Sequence, residues 1–401
     1  MRQSGSETRA AAPGEPSAPV SPAAGTQRGS FITRDHPYVY LGGSLIALLA
    51  LSLLMSQPHP YSFLTEANVP GIACRVICWA FLALSGLALM IKMAYGKGYG
   101  RTIMKYPALV RFSRWFSYLV VLACALALLD RGILRMIHTV QACLQAEKNP
   151  QGFVSSMVYM SLKGKDLLAA GIWTTIRLAL LGTAIAFVLA ILMVFLRIQE
   201  PDKRDKDPIK ALKWLANRFA RFYVFIIRGT PMMVQALIFY YFGFNIFKRT
   251  GMTVTEINRV WSFFISGLCT VSLNSTAYLT EVLRGGIQAI DRGQMEAARS
   301  LGMTNWQAMR KVVFPQAVKN SIPAIGNEFI INIKDSSVLS VIGVMDLMYA
   351  TKSVSGIYFR ALEIYCVAAL LYLVLTWLSS LLLKYLGSKL DSPYKGIPSS
   401  N

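Results

Sequence analysis

The sequence predicts an all-α integral membrane protein with about eight transmembrane helices, and three observations carry that prediction. Hydrophobic residues make up 54% of the 401 residues and charged residues only 15%, where a soluble domain has roughly a quarter charged. The apolar residues gather into runs that mostly approach or exceed the ~20 residues needed to cross a bilayer as a helix. The basic residues gather in alternate loops between those runs, which is how membrane orientation is encoded. The net charge of +21 therefore reports topology, and its placement argues against a nucleic-acid partner.

Residues 1–35 are rich in Ala, Pro, Ser and Gly, with Pro13, Pro16, Pro19 and Pro22. That composition buries no core and predicts a disordered, solvated tail. It lacks the apolar stretch of a signal peptide. Apolar segments follow at about 38–57, 72–94, 115–138, 167–196, 222–247, 260–283, 323–345 and 361–386. The first three, within 36–140, carry little polar signal in their interiors. A connector over 141–166 holds the turn Asn149-Pro150-Gln151-Gly152. The last five, over 167–390, hold nearly all the intramembrane polar residues, and 391–401 is a short tail.

Orientation follows from Lys and Arg. The loop after the second segment carries Lys92, Lys97, Arg101, Lys105, Arg111 and Arg114 with no acidic residue. The loops after the fourth and sixth segments are also basic, whereas 58–71 has no Lys or Arg. The three basic loops are expected to be cytoplasmic, and an even number of segments puts both termini inside.

Six cysteines lie mostly within apolar runs, where Cys behaves as a small hydrophobe. Cys74 and Cys78 share a helix face, but a metal site needs more ligands than they supply. His36, His59 and His138 form no cluster in the sequence and read as loop or interface residues.

The loop between the sixth and seventh segments is the most informative stretch. Gln294 to Met303 favours a helix that Gly302 stops in a left-handed conformation. Thr304 caps a second short helix over Asn305–Arg310, and Pro315 is expected to break it before the next span. Ala297 and Ala298 offer a small-residue surface to a partner backbone. Physics alone describes a charged helical hairpin at the cytoplasmic face.

Its letters, Glu296-Ala297-Ala298, then Gly302, then Val312, Phe314 and Pro315, resemble the loop of type I ABC importer permeases of the polar amino-acid branch. Val312 and Phe314 depart from the usual Ile and Leu and stay apolar. Gly293 within Arg292-Gly293-Gln294 also fits. Four further stretches match in order. They are Gly171-Ile172-Trp173-Thr174-Thr175-Ile176; Arg228-Gly229-Thr230-Pro231; Tyr278, Glu281 and Arg284-Gly285-Gly286; and Lys334-Asp335-Ser336-Ser337-Val338-Leu339. The resemblance covers about 167–390 and leaves the first three segments as additional helices.

The resemblance implies a permease core whose cytoplasmic loop, 285–322, is a coupling helix seated on an ATP-binding cassette ATPase. Gly293, Glu296, Ala297, Ala298, Gly302 and Pro315 would make that contact. Arg228, Gly229, Pro231, Glu281, Arg284 and Lys334 would be structural. It further implies a permease dimer, an extracytoplasmic amino-acid-binding protein and a bacterial inner membrane. No phosphate-cradling loop is present: Gly96-Lys97-Gly98-Tyr99-Gly100 lacks the spacing. ATP and Mg are therefore expected in a partner subunit, with no cofactor in this chain and no enzymatic activity of its own.

Ionisable groups inside membrane helices are costly and point to function. Asn332, Asp335 and Ser336 share a face of the seventh segment by i, i+3, i+4 spacing, suited to an α-ammonium group or to an internal hydrogen-bond network. Lys334 suits a carboxylate, of substrate or of another helix. Asn274, Tyr278 and Glu281 share a face of the sixth, where Glu281 is placed to pair with Arg284. Gln235, beyond Pro231, is expected along the substrate path. The alternative is a secondary transporter or channel run by an ion gradient. It calls for a self-contained pathway, often with inverted repeats, and leaves the 296–315 loop without a purpose.

Overall fold

The computed structural model describes residues 36–95, 106–199 and 206–390. The tails at 1–35 and 391–401, the glycine cluster at 96–100 and part of two basic loops lie outside the described residues. The chain divides into two compact units, one up to Thr139 and one from Val140 onward.

The first unit contains α1 (His36–Met55), α2 (Val69–Tyr95) and α3 (Pro107–Ala127). A π-helical segment, Leu128–Leu134, follows α3, and α4 (Arg135–Gln145) continues the chain. The third apolar segment is thus part of a much longer helical run than the expected 115–138. Gly43 lets the Phe81 ring lie against α1, since a Cβ there would meet the ring at 2.5 Å. Phe81, Leu54, Cys78, Val120 and Ala127 form the core between the helices.

The interior of this unit is not free of polar groups, contrary to the sequence expectation. Asp130 and Arg131, within the π segment, are both buried. Asp130 Oδ2 accepts from Ser62 Oγ at 2.6 Å, and Oδ1 accepts from the Phe63 amide at 2.9 Å. Arg131 Nη2 donates to the Leu64 carbonyl at 2.8 Å, and its Nε lies 3.3 Å from Asp130 Oδ2. The Tyr61 amide donates to Nδ1 of His59, which leaves the proton on Nε2 to reach the Asp130 carbonyl at 2.9 Å. His59 and His138 also meet, ring to ring at 6.2 Å. The α1–α2 loop is therefore held by charged residues that α3 delivers through its bulge.

The second unit begins with α5 (Phe153–Lys163) inside the expected connector, and Gly164 joins it to α6 (Lys165–Arg197). Then come α7 (Asp207–Gly229), α8 (Met232–Arg249), α9 (Val254–Val260) and α10 (Phe263–Gln288). The polar loop after α10 holds α11 (Arg292–Ser300) and α12 (Asn305–Ala308), followed by a π turn over Met309–Val313. α13 (Phe314–Asp335), a 3₁₀ stretch (Ser336–Ile342), α14 (Leu347–Tyr358) and α15 (Ala361–Leu390) complete it. α6 packs along α10, and α13 lies against both. At Gly286 a Cβ would stand 2.4 Å from Ser321 Oγ and 2.9 Å from the Ala317 carbonyl, so only glycine lets α10 and α13 approach so closely.

By length and apolarity alone, Val69–Tyr95, Lys165–Arg197 and Ala361–Gly387 can each cross a membrane. Tyr40–Met55 is apolar but shorter. Helices α10 and α13 carry too many polar residues to join them on that criterion. The fifth segment is not one straight helix: α7 and α8 meet at Thr230–Pro231 with a 112° bend. Proline supplies the reason, because it has no amide hydrogen and disfavours helix in the residue before it. The seventh span is also displaced. Its helix starts at Phe314, passes through Pro323 and ends at Asp335, so Lys334 and Asp335 stand at a helix end, not mid-helix.

Candidate functional site: a built loop, a broken helix and two polar faces

The loop between α10 and α13 is fixed by local hydrogen bonds at every turn. Asp291 caps α11 by accepting from the Gly293 amide at 2.6 Å. At the other end Gly302 has φ +85°. Its amide reaches the Arg299 carbonyl and the Met303 amide reaches the Ala298 carbonyl, the paired closure of a Schellman motif. Thr304 and Gln307 then form a reciprocal capping box, 2.9 Å from the Thr304 amide to Oε1 and 3.3 Å from the Gln307 amide to Oγ1. Pro315 does not break the second helix. It sits in the first turn of α13, where a missing amide hydrogen costs least, and the π turn carries the chain into it.

Glu296 and Ala297 face solvent, but Ala298 is buried, so the small-residue surface is narrower than the sequence suggests. Leu301, at the tip, is 82% exposed. Behind the tip, the Trp306 ring lies 5.2 Å from Phe195 of α6, and Phe195 lies 4.8 Å from Phe314 of α13. The loop thus rests on the ends of two core helices through three aromatic rings. Gln316 ties its two arms, donating to the Val312 carbonyl at 2.8 Å and approaching Gln294 Oε1 at 3.5 Å.

Glu281 binds Arg284 at 2.9 Å, as expected, and also Arg197 at 2.6 Å. Arg197 was not foreseen, because nothing in sequence spacing brings the end of α6 to α10. The Arg228 guanidinium lies 5.2 Å over the Tyr278 ring.

Several residues expected along the substrate path turn inward. Gln235 is buried and closes the helix break: its Nε2 donates to the Ile227 carbonyl at 2.7 Å and to Thr230 O and Oγ1 at 3.0 and 2.8 Å. Its Oε1 accepts from Asn274 at 2.9 Å. Asn332 accepts from Ser275 Oγ at 2.9 Å and donates to Thr183 Oγ1 at 2.8 Å, joining α13, α10 and α6. Ser336 is buried and donates to the Ile333 carbonyl. Asp335 is half-buried. Ser321, Glu328 and Asn332 form this buried polar face of α13, and Glu328 escaped the sequence reading. The physical reason is common to all: in a medium without water, polar side chains are drawn to the backbone and side-chain partners that need them.

A second face of α13 is polar and uncovered. Asn320, Asn327 and Lys334 recur at seven-residue spacing, about two helical turns, and all three are exposed. Among the described residues, no hydrogen bond or ion pair engages their side chains. The i, i+7, i+14 spacing is legible in the sequence; that the face is uncovered is not. Among the described residues, no group of three or more His, Cys, Asp or Glu can hold a metal ion.

Comparison with known proteins places this architecture. Residues 209–392 match the family described as binding-protein-dependent transport system inner membrane component. A probable glutamine ABC transporter permease protein of Bacillus subtilis is 34% identical over 224 residues, 56% of this chain and 93% of that protein. The nopaline transport system permease protein of Agrobacterium fabrum is 32% identical over 217 residues, 53% and 83% of the two chains. The glutamine transport system permease protein of Escherichia coli K12 is 32% identical over 223 residues, 55% and 91%. The chain belongs to this family of inner-membrane transport components. It is a multi-pass permease subunit of an ATP-driven importer, and the ion-gradient alternative is set aside.

Proposed function

We propose that this permease imports a polar amino acid or a close derivative. Glutamine and nopaline, named for its relatives, share a carboxylate on the α-carbon. An extracytoplasmic binding protein delivers the substrate, a second permease copy or a related subunit completes the passage, and ATPase subunits holding ATP and Mg supply the energy. Both termini lie in the cytoplasm. The first three segments form an accessory unit, and 167–390 forms the permease core.

The observation that carries the coupling role is the loop's construction. A hairpin closed by a Schellman motif and a capping box, and seated on three aromatic rings in mutual contact, transmits a push where a loose loop absorbs it. Glu296, Ala297, Gly302 and the exposed Leu301 face the ATPase. Gly293 and Pro315 set the two ends, and Ala298 anchors the hairpin from inside.

The passage runs along the uncovered face of α13. A lysine facing hydrocarbon costs about 3 kcal/mol near a bilayer centre. Pro323 to Lys334 spans about 16 Å at 1.5 Å per residue, roughly half the hydrocarbon thickness. Such a stripe belongs against water and substrate. Arg228, Gly229 and Pro231 shape the break beside it, and Gln235, Asn274, Asn332 and Ser336 brace it from behind.

The test is reconstitution with the ATPase and binding protein, with ATP hydrolysis measured across a panel of polar amino acids. One or a few should stimulate it. Leu301→Glu should uncouple hydrolysis from uptake or release the ATPase. A permease that never co-purifies with an ATPase would overturn the reading.

A further inference from the structure

The first half of α7 has a composition that spanning does not require. From Lys206 to Arg221 it carries five basic residues and one acidic residue. At about 100° per residue, Lys206, Lys210, Lys213, Arg218 and Arg221 fall within an arc of about 140°. Ile209, Leu212, Leu215, Phe219 and Phe222 fall within an equal arc on the opposite side. All five of these apolar side chains are exposed. The helix touches the rest of its unit through a narrow seam of Asn217, Ala220, Val224 and Ile227. Asn217 fixes it by donating to the carbonyls of Arg197 and Gln199 at the end of α6.

The tendency of basic residues to stay on the cytoplasmic side explains how many charges this stretch has. It does not explain their segregation to one side of a helix, with exposed leucine and phenylalanine on the other. That segregation is the pattern of a helix lying at a lipid surface. Trp214 is exposed and falls within the basic arc, between Arg221 and Arg218, where its amphipathic ring suits the headgroup level. Asp207 lies 3.6 Å from Lys210 and offsets one charge.

We propose that Lys206–Phe222 is a binding surface for anionic phospholipid headgroups, with the apolar arc in the acyl boundary and the basic arc on the phosphates. It rests on the reading that this end of α6 and α7 faces the cytoplasm. Because Asn217 joins α7 to the end of α6, the lipid contact sets where the 112° break sits relative to the membrane. Anionic lipid therefore supports transport itself.

The experiment uses the assembled transporter in vesicles of phosphatidylcholine, with phosphatidylglycerol raised from none to about half of the lipid. Two quantities are read: the anionic lipid retained by the purified complex, and substrate-stimulated ATP hydrolysis. Wild type should retain anionic over zwitterionic lipid and lose that preference in high salt. Each surface Lys or Arg near an anionic leaflet contributes about 1 kcal/mol, or about fivefold. The variant K210Q/K213Q/R218Q/R221Q should therefore lose retention by well over tenfold and respond little to phosphatidylglycerol. A companion variant with Lys and Arg exchanged at these four positions should behave as wild type, which separates charge from folding. Equal retention by the glutamine variant and wild type overturns the proposal. So does loss of the ATPase subunit with lipid retention intact, which would make the basic arc a protein contact. Cysteine accessibility at Lys206→Cys from either side reports the orientation separately, so a failed topology and a failed lipid site give different results.

Discussion

The two units handle polar groups inside an apolar medium in different ways. In the first unit the helix after Pro107 stays in one piece through a π bulge, and the bulge delivers Asp130 and Arg131 to a loop from another part of the chain. In the second unit the chain breaks outright at Thr230–Pro231, and the side-chain amide of Gln235 takes up the freed carbonyls. A bulge keeps the helix continuous and fastens something to it. A break makes two pieces whose angle is set by what each packs against. The first arrangement suits a brace; the second suits a transporter core that must adopt more than one arrangement.

The strongest way to break this comparison is at Asp130. Asp130→Ala removes the acceptor for Ser62 and Phe63 and leaves Arg131 buried without its counter-charge. Stranding one member of a buried pair costs about 3–5 kcal/mol. Thermal unfolding of the purified protein should fall sharply. If the division of labour holds, whatever protein remains folded should still bind the ATPase, because the proposed coupling loop lies in the other unit. Loss of ATPase binding at full stability would contradict it.

Gln235 tests the second half. Gln235→Ala leaves the Ile227 and Thr230 carbonyls and the Asn274 amide without partners, at about 1–3 kcal/mol for each group left buried. Gln235→Leu should be as damaging despite its similar size. Here stability and transport should fall together, since the break is part of the core. A transport rate unchanged in the alanine variant would make the break incidental.

How much of this was readable in advance depends on whether a feature is local. Gly302 and Thr304 announced the loop's turns, because left-handed glycine and capping threonine act within four residues. Pro231 announced a disturbance but not a 112° bend, since the angle depends on packing against α10. The pair Asp130-Arg131 stood in plain view inside an apolar run. Its meaning needed Ser62, Phe63 and Leu64, more than sixty residues earlier. Asn332 was singled out as a polar residue of the seventh segment suited to substrate or to an internal network. Its partners Ser275 and Thr183 lie on other helices, and sequence spacing does not reveal them. The spacing of Asn320, Asn327 and Lys334 was a matter of period alone; that their face is uncovered was not.

The proposed coupling loop gives a smaller effect that sharpens the contrast between a brace and a transmitter. Thr304→Ala removes one half of a capping box, worth about 1 kcal/mol. Global unfolding should barely move, whereas ATP hydrolysis per substrate transported should rise as the hairpin slackens. Thr304→Ser, which keeps the hydroxyl, should restore the wild-type ratio. If alanine and serine variants couple equally well, the rigidity of the hairpin is not what transmits the motion.

The smallest effect belongs to α9, between the break and the long α10. There Glu256 accepts from the Thr253 amide and hydroxyl, each at 2.8 Å, closing a capping box outside the membrane-spanning segments. The backbone bond from Thr253 first, and the hydroxyl second, hold its carboxyl below the ordinary range. A carboxyl lowered in the folded state stabilises the fold fully at a pH above its ordinary value. That contribution is lost as pH falls through the ordinary range to the lowered one. Because Glu256 is fully exposed, the change should be local. The protection of amides across Val254–Val260, measured relative to their intrinsic exchange rate at each pH, should fall on acidification in wild type. In Glu256→Gln, where no carboxyl titrates, this response should be absent. The break at Thr230–Pro231, closed by an uncharged amide, should show no such response in either protein. If both sites open together as pH falls, α9 and the break form a single cooperative element, and the helix break is less independent than its hydrogen bonds imply.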